Sequence, residues 1–206
     1  MHPWLSRLKW RYRSPPHPLL PLGDPRLRTP AAQVPGNARP CTAKTIRSLA
    51  DTLHWFQARH GAARGIAAPQ IGIPFRIILV ERDGKEVPLI NPVITWTSPE
   101  SRFGWERCMS FPHLAVCVPR PVSLSVRFLT AESTRDTWEH VGPDLASMVR
   151  HEVDHLDGVL TLDRAEAWEM VVPWTRLVAE PNRFHPHPRE ASAGSPQEPE
   201  THSGRS

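Results

Sequence analysis

Two histidines four residues apart, with a glutamate beside the first, are the residues in this chain best suited to chemistry: His151-Glu152-Val153-Asp154-His155. On a helix, positions i and i+4 lie on one face about one turn apart. Both imidazoles can therefore reach a single metal ion, while Glu152 stays close enough to handle a water bound to it. A hydrolytic site of this type takes a third protein ligand and leaves one position open. The identity of that ligand decides the class. A peptidase whose motif continues as xxGxxH needs a histidine at position 161, and the chain supplies Gly158 but then Thr161. A peptidase with a downstream carboxylate would use Glu166 or Glu169, yet nothing around them reads as a second ligand helix. Upstream, Cys108 in Trp105-Glu106-Arg107-Cys108-Met109-Ser110 falls between two expected strands, where a thiolate could be held rigidly toward the helix. The chain has 11 histidines, so the bland alternative is a chance pair on a solvated helix face.

The elements that must carry these residues follow from hydrophobic spacing. Leu145, Met148, Val149 and Val153 predict a helix over Asp144 to Leu156, opened by Gly142-Pro143 and stopped at Gly158. A second amphipathic helix is expected from Thr42 to about residue 62, with Ile46, Leu49, Leu53 and Phe56 on one face and Thr42 or Thr45 as its cap. Phe75 to Glu81 reads as a strand, Asp83-Gly84 as a hairpin turn and Val87 to Ile94 as its partner strand. Ala115 to Val118 and Val122 to Phe128 read as two further strands, with Pro119 and Pro121 marking a break between them. Cys117 is expected to be a packing residue.

Three segments, in order, resemble the signature motifs of peptide deformylases. They are Ala63-Arg64-Gly65-Ile66-Ala67-Ala68-Pro69-Gln70, then Glu106-Arg107-Cys108-Met109-Ser110, then His151-Glu152-Val153-Asp154-His155-Leu156-Asp157-Gly158. Leu22 to Arg28, Ile90-Asn91-Pro92, Val118-Pro119-Arg120 and Leu160 to Arg164 extend the resemblance over about residues 19–177. It implies an α+β fold of antiparallel strands packed around the HExxH helix, in one domain over 19–178. It also implies one divalent metal held by Cys108, His151 and His155, with Fe²⁺ the first candidate and Zn²⁺ the second; a thiolate with two imidazoles suits either. Such a metal would lower the pKa of its water from 15.7 toward about 7. Glu152 would be the general base, and the Gln70 amide with the Met109 backbone N–H would stabilise the developing oxyanion. The implied reaction removes the N-formyl group from the methionine that begins a nascent polypeptide and releases formate. The peptide would lie along a strand edge at Gly65 and Ile66, with Met148 beside the pocket for its methionine side chain. Glu106 or Asp154 would orient a metal-bound imidazole, Asp154 being the better fit to a surface ion pair.

The departures from the family pattern lie on the substrate side. Ala63 and Arg107 stand at glycine positions, and Arg64 at an aliphatic one. Ala115 replaces a substrate-binding arginine, and Ser147 an apolar wall residue. Arg64 and Arg107 are therefore candidates to contact the peptide in place of the missing arginine.

Composition bounds the rest. A chain of 206 residues supports one domain with tails. No run of 18 apolar residues exists, so no membrane helix is expected. A net charge of +4 is too mild to argue for nucleic acid, and three cysteines make no disulfide framework, which fits a reducing compartment. Residues 1–18 are basic, free of acids and closed by prolines, and are expected to be a flexible arm. Residues 179–206 read as a disordered tail. A cytoplasmic bacterial enzyme is the first expectation, with a mitochondrial or plastid location if the basic start is a transit peptide. Two competing readings stand beside the enzyme. One is a catalytically impaired relative that binds a partner such as the ribosome; the other is an HExxH metallopeptidase.

Overall fold

The structure, a computed structural model, describes residues 15–36, 38–61 and 63–184. Most of the basic arm and of the C-terminal tail expected from sequence therefore lies outside the described residues. Among the described residues, eight strands form two antiparallel sheets. The larger has the order β1 (Gly65–Ala67), β2 (Ile77–Arg82), β3 (Lys85–Thr97), β6 (Leu124–Leu129) and β7 (Arg135–Val141). The smaller comprises β4 (Ser101–Glu106), β5 (Leu114–Pro121) and β8 (Val171–Pro173). Helices α1 (Arg39–His60), α2 (Pro143–Leu156) and α3 (Trp174–Ala179) and several 3₁₀ turns accompany them, with no helix among the described residues long and apolar enough to cross a membrane. An α+β fold in one domain is thus what the sequence encodes.

Burial explains the strand patterns. β2 is apolar on consecutive residues because both of its faces are covered. Ile78 and Val80 pack with Ala146, Val149, Val153 and Leu156 of α2, while Ile77 and Leu79 pack with Leu49, Leu53 and Phe56 of α1. β5 divides likewise. Val116 and Val118 face Cys108 and Leu160, and Ala115 faces Val172 and Leu177. Helix α2 packs against β1 and β2 of the large sheet and β5 of the small one, so it joins the two.

Two local expectations need correction. Pro119 does not break the chain: β5 runs through it to Pro121, because the residues paired across from it in β4 leave proline at a tolerated position beside Phe103. At the C-terminal end, packing continues past residue 178. The Phe184 ring meets Trp105 edge-on at 6.3 Å, and its carbonyl accepts a hydrogen bond from Trp105 Nε1 at 3.0 Å.

Candidate metal centre

Three elements deliver the site. Helix α2 presents His151 and His155 one turn apart, with ring centroids 5.1 Å from each other. The turn between β4 and β5 carries Cys108, and the 3₁₀ turn Ala68–Ile71 after β1 carries Gln70. All of these side chains are buried. Cys108 Sγ lies 3.2 Å from His155 Nε2, and the ligating atoms of Cys108, His151 and His155 all fall within 4.8 Å of one another. Ligand atoms around one tetrahedral ion stand roughly 3–4 Å apart given metal–ligand distances of about 2.0–2.3 Å. The three donors are therefore gathered to the scale of a single ion. Among the described residues they are the group of this kind that could hold a metal, and Glu166, which is exposed, does not join it.

The surroundings fit that use. Glu106 Oε2 lies 2.8 Å from His151 Nδ1, and an ionised carboxylate can only accept, so Nδ1 donates to it and Nε2 is the nitrogen left to meet a metal. Thr161, at the position where the longer peptidase motif has its third histidine, places Oγ1 3.2 Å from the same Nδ1. Glu106 is itself saturated: Arg120 Nε and Ser147 Oγ donate to Oε1 at 2.8 and 2.7 Å, and Arg120 NH2 donates to Oε2 at 2.8 Å. Gln70 accepts from the Ala67 N–H at 2.9 Å, which turns its Nε2 toward Cys108 Sγ at 3.5 Å and Ser110 Oγ at 3.3 Å. Of the buried atoms on the helix motif itself, Glu152 Oε2 and His155 Nδ1 have no partner among the described residues. Unpartnered polar atoms in a closed site are where a ligand, ion or water belongs.

Electrostatics separates the titrating groups. Burial raises the Glu152 pKa to about 7, the neighbouring charges of His151 and Arg120 only partly opposing it. Burial acts the same way on Glu106, but hydrogen bonds from Arg120 and His151 overcome it and hold that carboxyl well below the usual range. His155 is pushed down by burial and then by the charges of His151 and Arg120. His151 is pushed up, since its hydrogen bonds to Cys108 and Glu106 outweigh its burial. Asp154 is not a surface ion pair. It is 1% exposed and is held by Arg120 NH1 at 2.6 Å, Arg164 NH2 at 2.8 Å and Arg150 Nε at 3.2 Å.

Comparison with known proteins agrees with this arrangement. The polypeptide deformylase family model matches residues 16–170. The chain belongs to the peptide deformylase family. A peptide deformylase of Natranaerobius thermophilus is 38% identical over 144 residues, which cover 69% of this chain and 88% of that one. One from Thermotoga neapolitana is 32% identical over 160 residues, covering 76% and 91%. Among solved structures, the Synechococcus elongatus peptide deformylase in complex with actinonin superposes with a TM-score of 0.69 at 32% identity, covering 76% of this chain and 82% of that one. The family is one of hydrolytic enzymes, and together with the Cys-His-His cluster it points to a bound metal ion.

Against this deformylase frame the substrate-side residues fall into place unequally. Gly65 sits on β1, an edge strand paired only with β2, and a Cβ built there would lie 2.7 Å from Glu152 Oε1. Backbone thus passes directly over the carboxylate. Ile66 is fully buried under α1, so only its backbone could meet a peptide. Met148 is half-buried against the α2 core. Arg64 is exposed and lines an open cavity of about 510 Å³ with Arg82, Glu139 and Leu145. Arg107 stacks over Trp174. Sequence reasoning missed the part of Arg120 and of Thr161, and misread Ser147. The signal for Ser147 was present: 147, 151 and 155 share one face of a helix at spacing i, i+4, i+8.

Proposed function

We propose that this chain is a metal-dependent deformylase that removes the formyl group from the N-terminal methionine of newly made polypeptides, in the cytoplasm where such chains arise. The observation that carries the reading is the convergence of Cys108, His151 and His155 around one point, with the unpartnered Glu152 carboxylate beside it. The donor set fits Fe²⁺ first and Zn²⁺ second. Bound there, the ion supplies Lewis-acid polarisation and a water acidic enough to ionise near neutrality.

The chain's own residues do the remainder. Glu152, with its pKa near 7, takes a proton from the attacking water and returns it to the departing amide nitrogen. Gln70 Nε2, aimed by the Ala67 N–H, and the Met109 backbone N–H donate to the oxygen on which negative charge grows. The free edge of β1 at Gly65 and Ile66 aligns the peptide backbone, and Met148 borders its methionine side chain. Anaerobic purification with metal analysis and a formate assay on a formyl-Met peptide test the reading. Formate release is expected, and Glu152→Ala should abolish it with the metal retained. Metal content undiminished in Cys108→Ala would instead favour the HExxH peptidase.

A further inference from the structure

Arg107 is the residue immediately before Cys108, and among the described residues no carboxylate pairs with its guanidinium. Its Nε is buried and unpartnered, and no hydrogen bond or ion pair to a described residue takes up its other N–H groups. What it has is the Trp174 ring, 4.3 Å from Cζ to centroid. Trp174 is anchored by its backbone N–H, which donates to the His113 carbonyl at 2.8 Å. Buried cations are normally paired, and a guanidinium stacked on an aromatic face keeps its in-plane donors pointing outward for a planar anion.

The imidazole of His60 feels this charge. His60, at the C-terminal end of α1, is pushed down by burial and then by the charges of Arg107, His113 and Arg59. His60 packs on Phe56 at 4.5 Å between ring centroids. Beyond it the chain turns back, with the Ala63 carbonyl held by Gln57 Nε2 at 2.7 Å, and enters β1 at Gly65. Arg107 itself stands directly before Cys108, in the turn that carries the candidate metal ligand.

We propose that Arg107, its guanidinium stacked on Trp174, forms a carboxylate-binding subsite that favours acidic residues in the part of a formyl peptide following its methionine. The inference rests on the deformylase reading and adds the substrate class. It also assigns the change from glycine to Arg107 a purpose: Ala115, where the family has a substrate arginine, is fully buried in β5 and offers no charge.

The test uses full-length, metal-loaded protein and formyl-Met peptide amides carrying Asp, Ser or Lys at positions two to four, together with a free-acid tripeptide. The expected result is a kcat/KM about five- to tenfold higher for Asp than for Lys peptides, expressed in KM and shrinking as salt rises. In Arg107→Gln the Asp-to-Lys ratio should fall toward one, and in Arg107→Lys part of it should return. A free-acid tripeptide outperforming its amide would place the terminal carboxylate in the same subsite and support the proposal. Equal kcat/KM for Asp, Ser and Lys peptides in the unsubstituted protein overturns it, as does a preference that survives Arg107→Gln. Competition by a short RNA with no acidic-peptide preference also overturns it, because the anion would then be phosphate. Formate from all peptides at equal efficiency removes this inference alone, whereas formate from none removes the deformylase reading and this inference together.

Discussion

At the scale of single residues, the site is governed by which buried groups are paired. Glu152 is buried with one oxygen unpartnered, and its folded pKa of about 7 stands above the 4.5 of an ordinary glutamate. A folded pKa above the unfolded one means that the native state binds the proton more tightly. The associated stability is full below about pH 4.5 and is lost as pH rises through 7. Metal-free Glu152→Gln should therefore be more stable than the parent at pH 8, by as much as roughly 3 kcal/mol, with a much smaller difference at pH 5; urea unfolding at the two pH values measures this. The same variant should lower kcat by 10²-fold or more, the usual contribution of a general base. Ser147 acts through Glu106. Its hydroxyl fills the last acceptor site of a carboxylate that holds the His151 ring, so Ser147→Ala should weaken metal affinity by up to about tenfold, and Ser147→Thr should restore it. Competition with a chelator reads this directly, and an unchanged affinity would mean that Arg120 alone fixes Glu106.

At the scale of elements, the ligand helix and the motif strand depend on two glycines. Gly158 ends α2 with φ +73°, and a Cβ there would meet the Arg28 carbonyl oxygen at 2.5 Å. Backbone cannot swing aside as a side chain can, so Gly158→Ala should destabilise by about 2–4 kcal/mol, seen as a lower urea midpoint at unchanged slope. At Gly65 the obstacle is instead the Glu152 carboxylate, a side-chain end that can move. Gly65→Ala is thus expected to cost little stability but about 10²-fold in kcat/KM, since a shift of about 1 Å in a catalytic group is enough. These elements were unequally readable in the sequence. Helices α1 and α2 and strands β2, β3, β5 and β6 announce themselves because each buries a periodic or continuous apolar face. β7 does not: of Arg135 to Val141 only Trp138 and Val141 are buried, which leaves a polar edge strand with no pattern. β4 is half-exposed along its length, and β1 and β8 are three residues each, too short to show a period. Within the candidate site, the cluster of Cys108, His151 and His155 with Glu152 beside it was readable because the chemistry proposed for it restricts the residue types and helical spacing brings the two histidines together. The Glu106, Arg120, Ser147 and Asp154 network was not, because it joins β4, β5 and α2 across distances in sequence that only the fold closes.

At the scale of the whole molecule, the candidate metal centre coincides with the seam between two sheets. Gln70 follows the large sheet's edge strand, Cys108 lies between two strands of the small one, and α2 packs on both. Asp154 ties the seam electrically, since its carboxylate collects Arg120 from β5, Arg150 from its own helix and Arg164 from the 3₁₀ turn beyond. Replacing it with Ala leaves buried Arg120 short of one acceptor, and breaking a buried pair of this kind typically destabilises by about 3–5 kcal/mol. A bound ion should brace the same seam, because an ion that binds only the native arrangement stabilises it by RT ln(1 + [L]/Kd), about 4 kcal/mol at a thousandfold excess over Kd. Chelation should therefore lower the Tm by several degrees. The loss should be larger at pH 8 than at pH 5, because protons compete for the Cys108 thiolate and the imidazoles and weaken metal binding in acid. Thermal unfolding with and without chelator at both pH values decides it. Equal Tm values under all four conditions would mean that Cys108, His151 and His155 hold no ion in solution, whatever their proximity.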